Sequence, residues 1–124
     1  MSILSFLIGP VMAATISCPV MPYGQPNDQS NLEICHKGYF TEYDYNDHIP
    51  VFVGWRVTKD MSISCNSRNG SSKQDPLAMN KDVTSSAYDN TGYDRGHMAN
   101  AGDFYSNNQE EAESFYMTNI LPQE

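Results

Sequence analysis

Hydrophobic and polar positions alternate most clearly after Pro50. In Val51-Phe52-Val53-Gly54-Trp55-Arg56-Val57-Thr58, the residues Val51, Val53, Trp55 and Val57 share one parity. That period predicts a strand with one apolar face, and Phe52 on the other parity predicts partial cover on the second. Upstream, Leu32 to Tyr45 carries Ile34, Tyr39, Phe40, Tyr43 and Tyr45, which favour strands. Asn46-Asp47-His48 reads as the turn of a hairpin. Thr15 to Asn31 holds Pro19, Pro22, Gly24 and Pro26 and predicts a surface loop. Asp60 to Asn90 is polar and predicts loops, with at most a short element near Leu77 to Met79. So long a loop in a small domain is expected to serve a function. Near the end of the chain, Asn107, Asn108 and Gln109 offer caps, and Glu110 and Glu111 suit the first turn of a helix. Ala112, Phe115 and Tyr116 form one apolar face. A helix is therefore predicted from about Gln109 to Tyr116, with a turn over Asn119 to Pro122.

The length, 124 residues, allows one small domain. Ile3 to Ala14 is apolar apart from Ser5, is broken by Gly9-Pro10, and ends in small residues. It predicts a signal peptide over residues 1–14, although no Lys or Arg stands near Met1. The run is short of the ~20 residues that cross a bilayer. Residues 15–124 form the expected domain, secreted or extracytoplasmic and free of the membrane once the leader is cleaved. Export would permit a disulfide. Cys18, Cys35 and Cys65 allow one bond in any of three pairings, and none of their spacings reads as a zinc site.

Net charge is −8, which opposes indiscriminate binding to polyanions. The charge is uneven. Arg56, Lys59, Arg68, Lys73 and Lys81 stand against only Asp60 and Asp75 in their span, giving +3, while the rest of the chain sums to −11. A local basic face beside an acidic body and a solvated basic loop both fit this count.

The densest chemistry lies in Gly92-Tyr93-Asp94-Arg95-Gly96-His97-Met98-Ala99-Asn100-Ala101-Gly102-Asp103-Phe104. A carboxylate, a guanidinium and an imidazole occupy four consecutive positions. Histidine moves protons near neutral pH, and arginine pairs with phosphate through a planar fork. Taken alone, the tetrapeptide also fits a solvated turn in which Asp94 pairs with Arg95. His36 and His48, which flank the predicted strands, read as surface or hydrogen-bonded histidines rather than ligands.

Further along stands Phe115-Tyr116-Met117-Thr118-Asn119-Ile120-Leu121-Pro122-Gln123. The Asp-Arg-Gly-His group followed by this second segment resembles the DNA/RNA non-specific endonuclease family, the Serratia-nuclease-like group with a ββα-metal site. Gly38-Tyr39, Tyr43-Asp44 and Pro50-Val51-Phe52-Val53 extend the resemblance upstream. It implies an α+β fold: a ββα-metal endonuclease core with an antiparallel sheet and long loops. It also implies a Mg²⁺-dependent (or other divalent-cation-dependent) hydrolase that cuts DNA and RNA. His97 would be the general base. Arg68, ahead of Asp75-Pro76-Leu77, would contact the scissile phosphate, with Arg56 the weaker match. Arg95 would face phosphate or pair with Asp94. Asp94 and Asn119 would support the site. The family domain is longer, so the chain is expected to be incomplete at its C-terminus. The Asn that holds the metal is expected beyond Glu124, leaving no metal ligand within these residues. Oligomeric state is left open. An HNH-type metal site would need more histidines than the three present. The alternative reading is a secreted binding module with the same fold that lacks complete catalytic machinery.

Overall fold

The structure is a computed structural model that describes residues 9, 16–26, 28, 31–63 and 66–124. The expected leader, apart from Gly9, and Cys65 lie outside the described residues. Three strands, β1 (Leu32–Cys35), β2 (Tyr39–Asp44) and β3 (Ile49–Trp55), form an antiparallel sheet in chain order. A second antiparallel sheet pairs β4 (Asp94–His97) with β5 (Ile120–Gln123). One helix, α1 (Asn108–Ser114), stands between these two strands in the chain. The Asn107 side chain caps it by accepting from the Gln109 and Glu110 backbone N–H groups.

The central strand explains its own composition. β2 is covered on both faces, so Tyr39, Phe40, Thr41 and Tyr43 are all buried whatever their parity. Tyr39 packs with Ala99 and Phe104, and Val53, Trp55 and Met61 close over them. A second cluster joins Tyr88, Met117 and Ile120, with Val83 against it. The predicted apolar face of β3 is only half realised. Glu42 pairs with Phe52 but Tyr43 pairs with Pro50, so Val51 is the extra residue of a bulge. Val51 is exposed as a result, and Val57 is exposed because the strand ends at Trp55.

The polar stretch from Asp60 to Asn90 is held by side chains rather than by regular strands. It contains short 3-10 turns at Lys59–Ser62, Pro76–Ala78 and Ser85–Tyr88. Buried Asp75 anchors it. Its carboxylate accepts from the Thr118 hydroxyl at 2.6 Å and meets His36 Nε2 at 2.8 Å. Thr41 in turn donates to the Thr118 carbonyl. His36 is thus a buried, hydrogen-bonded histidine joining the first sheet to the loop. A disulfide links Cys18 to Cys35, the last residue of β1, and ties the N-terminal loop to the sheet.

Two expectations are corrected. The chain does not turn over Asn119 to Pro122; it runs as β5, with Ile120 opposite His97 and Gln123 opposite Asp94. Pro122 is tolerated because β5 has a neighbour on one side only. The helix also stops at Ser114, so Phe115 and Tyr116 leave it and enter the next segment.

Candidate active site

β4 carries the Asp-Arg-Gly-His group as a strand, not as a turn. Gly92, with φ of 84°, makes the bend before it. Gly96 is needed for a different reason. A Cβ there would lie 2.0 Å from Cδ of Gln123, so the two halves of the sequence pattern meet where the Gln123 side chain lies against the Gly96 backbone.

Asn119 locks the end of this sheet. Its Oδ1 accepts from the Ala99 N–H at 2.8 Å, and its Nδ2 donates to the carbonyls of Ala99 and Ser114. The Met98 N–H also donates to the Asn119 carbonyl. With every polar atom of the amide engaged and the residue fully buried, Asn119 is a strut that sets the spacing of β4, α1 and β5.

His97 stands at the end of β4. The Phe115 ring meets its imidazole edge-on, with centroids 4.7 Å apart. The Arg68 guanidinium lies over the same Phe115 ring, 5.1 Å from its centroid. One aromatic ring therefore separates and locates a cation and an imidazole. The segment after Arg68 is pressed on that ring: a Cβ on Gly70 would approach Phe115 Cδ2 to 2.0 Å. The segment then pairs in parallel with Phe115 to Met117, through Lys73 N–H to the Phe115 carbonyl and Met117 N–H to the Lys73 carbonyl. Glu111, on the first turn of α1, accepts from the backbone N–H groups of both Asn69 and Gly70 at 3.1 Å.

The surroundings tune His97. Burial pushes its pKa below the ordinary 6.5, and the Arg68 charge pushes the same way; the Glu111 carboxylate opposes them. Nε2 is the buried nitrogen and has no hydrogen-bond partner among the described residues. The lowered pKa favours the neutral ring, the form that can accept a proton.

Arg95 is oriented elsewhere. Its Nε and Nη2 donate to Ser85, and Nη2 forms an ion pair with Asp89, while its guanidinium lies 5.7 Å from the Tyr88 ring centroid. The partner is Asp89 and not Asp94, which is exposed on the edge of the sheet. The loop cations Lys73 and Lys81 rest on Tyr116 and Tyr45. Neither these two nor Arg68 forms an ion pair among the described residues. Arg56, the weaker candidate, is exposed just beyond β3.

Three contributors were not legible as site residues. Phe115 and Glu111 sit four apart, a spacing that places them on one helical face, which was the available signal. Gly70 carried no signal, because its need for a bare backbone comes from a ring 45 positions away in the chain.

Among the described residues no group of three His, Cys, Asp or Glu side chains could hold a metal ion. The Asn119 amide is fully engaged, and Glu111 Oε1 is occupied by two N–H groups.

Two antiparallel sheets, one helix and an Asp-Arg-Gly-His strand define an α+β protein with the fold of the ββα-metal nucleases. The chain is similar to a solved chain in the crystal structure of the EndoG/EndoGI complex, with a TM-score of 0.76 and 30% identity, covering 90% of this chain and 47% of that one. It belongs to the DNA/RNA non-specific endonuclease family, whose sequence profile matches residues 17–124. Relatives include Nuclease 1, mitochondrial, of Schizosaccharomyces pombe, 26% identical over 107 residues, covering 82% of this chain and 32% of that protein. Nuclease EXOG, mitochondrial, of Mus musculus is 34% identical over 88 residues, covering 65% of this chain and 23% of that protein. The chain thus spans a third or less of these two relatives' lengths.

Proposed function

We propose that the full-length protein hydrolyses phosphodiester bonds of DNA and RNA, with His97 as general base and Arg68 at the scissile phosphate. The observation that carries this reading is the shared Phe115 ring. It holds on one platform an imidazole of lowered pKa and an arginine that forms no ion pair among the described residues. Such hydrolysis needs a base for the attacking water and a positive group for the charge that develops at phosphorus. Nε2 is buried without a partner among the described residues, and the reading assigns to Nδ1 the proton of the attacking water. The Arg68 guanidinium offers its planar donors to the phosphate oxygens. Contacts of this kind address the backbone and carry no base readout.

Arg95 enters this reading as a positioning residue, holding β4 to the Ser85–Tyr88 turn. Asn119 supports the site from within the core, and Asp94 stands opposite Gln123 across the second sheet. A divalent cation, Mg²⁺ for preference, belongs to the reading. It would supply charge neutralisation at the phosphate oxygens. Among the described residues no group of three His, Cys, Asp or Glu side chains makes a site for it. Export is supported by the apolar N-terminal segment and by the Cys18–Cys35 disulfide, a bond typical of oxidising compartments.

The test compares wild type with His97→Ala and Arg68→Ala in the full-length protein. Supercoiled plasmid and RNA are incubated with Mg²⁺ or with EDTA. Cleavage of both by wild type, with metal only, and its loss in His97→Ala, supports the reading. Cleavage retained by a folded His97→Ala protein overturns the role of the base. The acidic balance favours a second reading, a binding module of the same fold. A folded wild type that cuts neither substrate under any metal condition would select it.

A further inference from the structure

We infer that Glu111 is a positioning residue: its buried carboxylate grips the Asn69 and Gly70 backbone and so seats Arg68 on the Phe115 ring beside His97. This inference rests on the proposed nuclease reading.

Three observations support it. Glu111 is only 4% exposed, a rare state for a carboxylate, and it has a defined task there, accepting two backbone N–H groups from one loop. Those donors follow Arg68 directly in the chain. The backbone they belong to has no freedom to shift towards the ring, because Gly70 is already in contact with Phe115. The loop is thus held between a carboxylate in the first turn of α1 and the ring of the residue that follows the helix.

The loop has little else to hold it at this point. Before the Lys73 pairing, the Arg68 to Ser72 backbone belongs to no strand or helix. A guanidinium that must meet a phosphate gains from being held before the substrate arrives. The same carboxylate also acts on His97. Arg68 and Glu111 are the charged groups that shift the imidazole, in opposite directions. Removing Glu111 therefore alters both the place of the arginine and the charge balance at the base.

The experiment uses the full-length protein, with Glu111→Ala, Glu111→Gln, Arg68→Ala and the Glu111→Ala/Arg68→Ala double variant. The readouts are kcat/KM on a duplex oligonucleotide against pH, and hydrogen exchange of the Asn69 and Gly70 amides. Glu111→Ala is expected to lose roughly 10- to 100-fold in kcat/KM, the scale of a lost positioning contact. In the Arg68→Ala background the same change is expected to cost less than about 3-fold, because the two residues act as one unit. Glu111→Gln keeps an acceptor oxygen, so the loop stays protected and most activity remains, while the acid limb of the profile moves to lower pH.

A folded Glu111→Ala protein with wild-type activity overturns the inference, as does a loss that multiplies in full with that of Arg68→Ala. If Glu111→Ala is too unstable to assay, Glu111→Asp, which keeps the charge but draws the carboxylate back from the loop, decides: faster exchange at Asn69 and Gly70 with reduced kcat/KM supports the inference, and unchanged exchange and activity overturn it. If wild type cuts nothing, the nuclease reading fails by itself. Amide exchange then reads the grip alone: faster exchange at Asn69 and Gly70 in Glu111→Ala supports it, and unchanged exchange overturns it.

Discussion

Gln123 lies across Gly96 so closely that a Cβ on the glycine would come 2.0 Å from Cδ of the glutamine. The two residues sit on neighbouring strands, Gly96 opposite Leu121 and Gln123 opposite Asp94. Gly96→Ala forces the Gln123 side chain to move. That side chain is exposed and flexible, so the cost should be near the low end for overpacking, about 1 kcal/mol. Adding Gln123→Ala should recover most of it. Urea denaturation of the two variants checks this, and an unrelieved loss in the double variant would place the strain in the backbone instead.

Gly70→Ala meets a harder obstacle. The atom it would strike belongs to Phe115, a ring only 2% exposed and held between Arg68 and His97. The ring cannot swing into solvent, so the loop must lift. The expected result is a loss of stability of about 1–3 kcal/mol, together with faster exchange of the Asn69 amide. Nucleic-acid cleavage should fall in step with the displacement of Arg68. A variant as stable and as active as wild type would contradict the packing described.

Asn119→Ala removes three hydrogen bonds in a fully buried place and leaves the Ala99 N–H and the Ala99 and Ser114 carbonyls without their partner. Each stranded buried group costs roughly 1–3 kcal/mol, so a total of about 3 kcal/mol or more is expected. The midpoint of thermal unfolding should drop clearly. A metal-ligand role would instead leave stability almost intact and alter the metal dependence of cleavage.

The pH dependence follows from His97. The free imidazole must be neutral to accept a proton, and its pKa is held below 6.5, first by burial and then by Arg68. The acid limb of kcat/KM should therefore fall below pH 6.5, with full activity kept through neutral pH. Arg68→Ala should raise the limb in whatever activity remains. The same shift has a stability consequence. Between the folded pKa and 6.5, the unfolded chain binds the extra proton, so stability falls as pH drops through that window. A limb at or above pH 6.5 would argue against a buried, arginine-facing base.

Much was legible in the order of residues. The hairpin turn at Asn46 to His48, the capped start of α1 and the alternation in β3 are local patterns, set by propensity and periodicity within a few residues. His97, Arg68 and Asn119 could be singled out as expected site residues because the segments around them resemble those of a known family. Tertiary structure decided the rest. Asn119 to Pro122 reads locally as a turn, but β4 offers it a ladder of backbone partners, and those hydrogen bonds outweigh turn propensity. Val51 has the right parity for the core, yet a bulge set by the pairing with β2 turns it outward. Arg95 has a carboxylate next to it in the chain, but its strand presents it to Ser85 and Asp89. The pairing of Cys18 with Cys35 and the meeting of Arg68 and Glu111 with Phe115 depend on contacts between segments far apart in sequence. Local order determines which residues are available. Only sheet register and packing decide which of them face each other, because those contacts form between surfaces that exist only after the chain has folded.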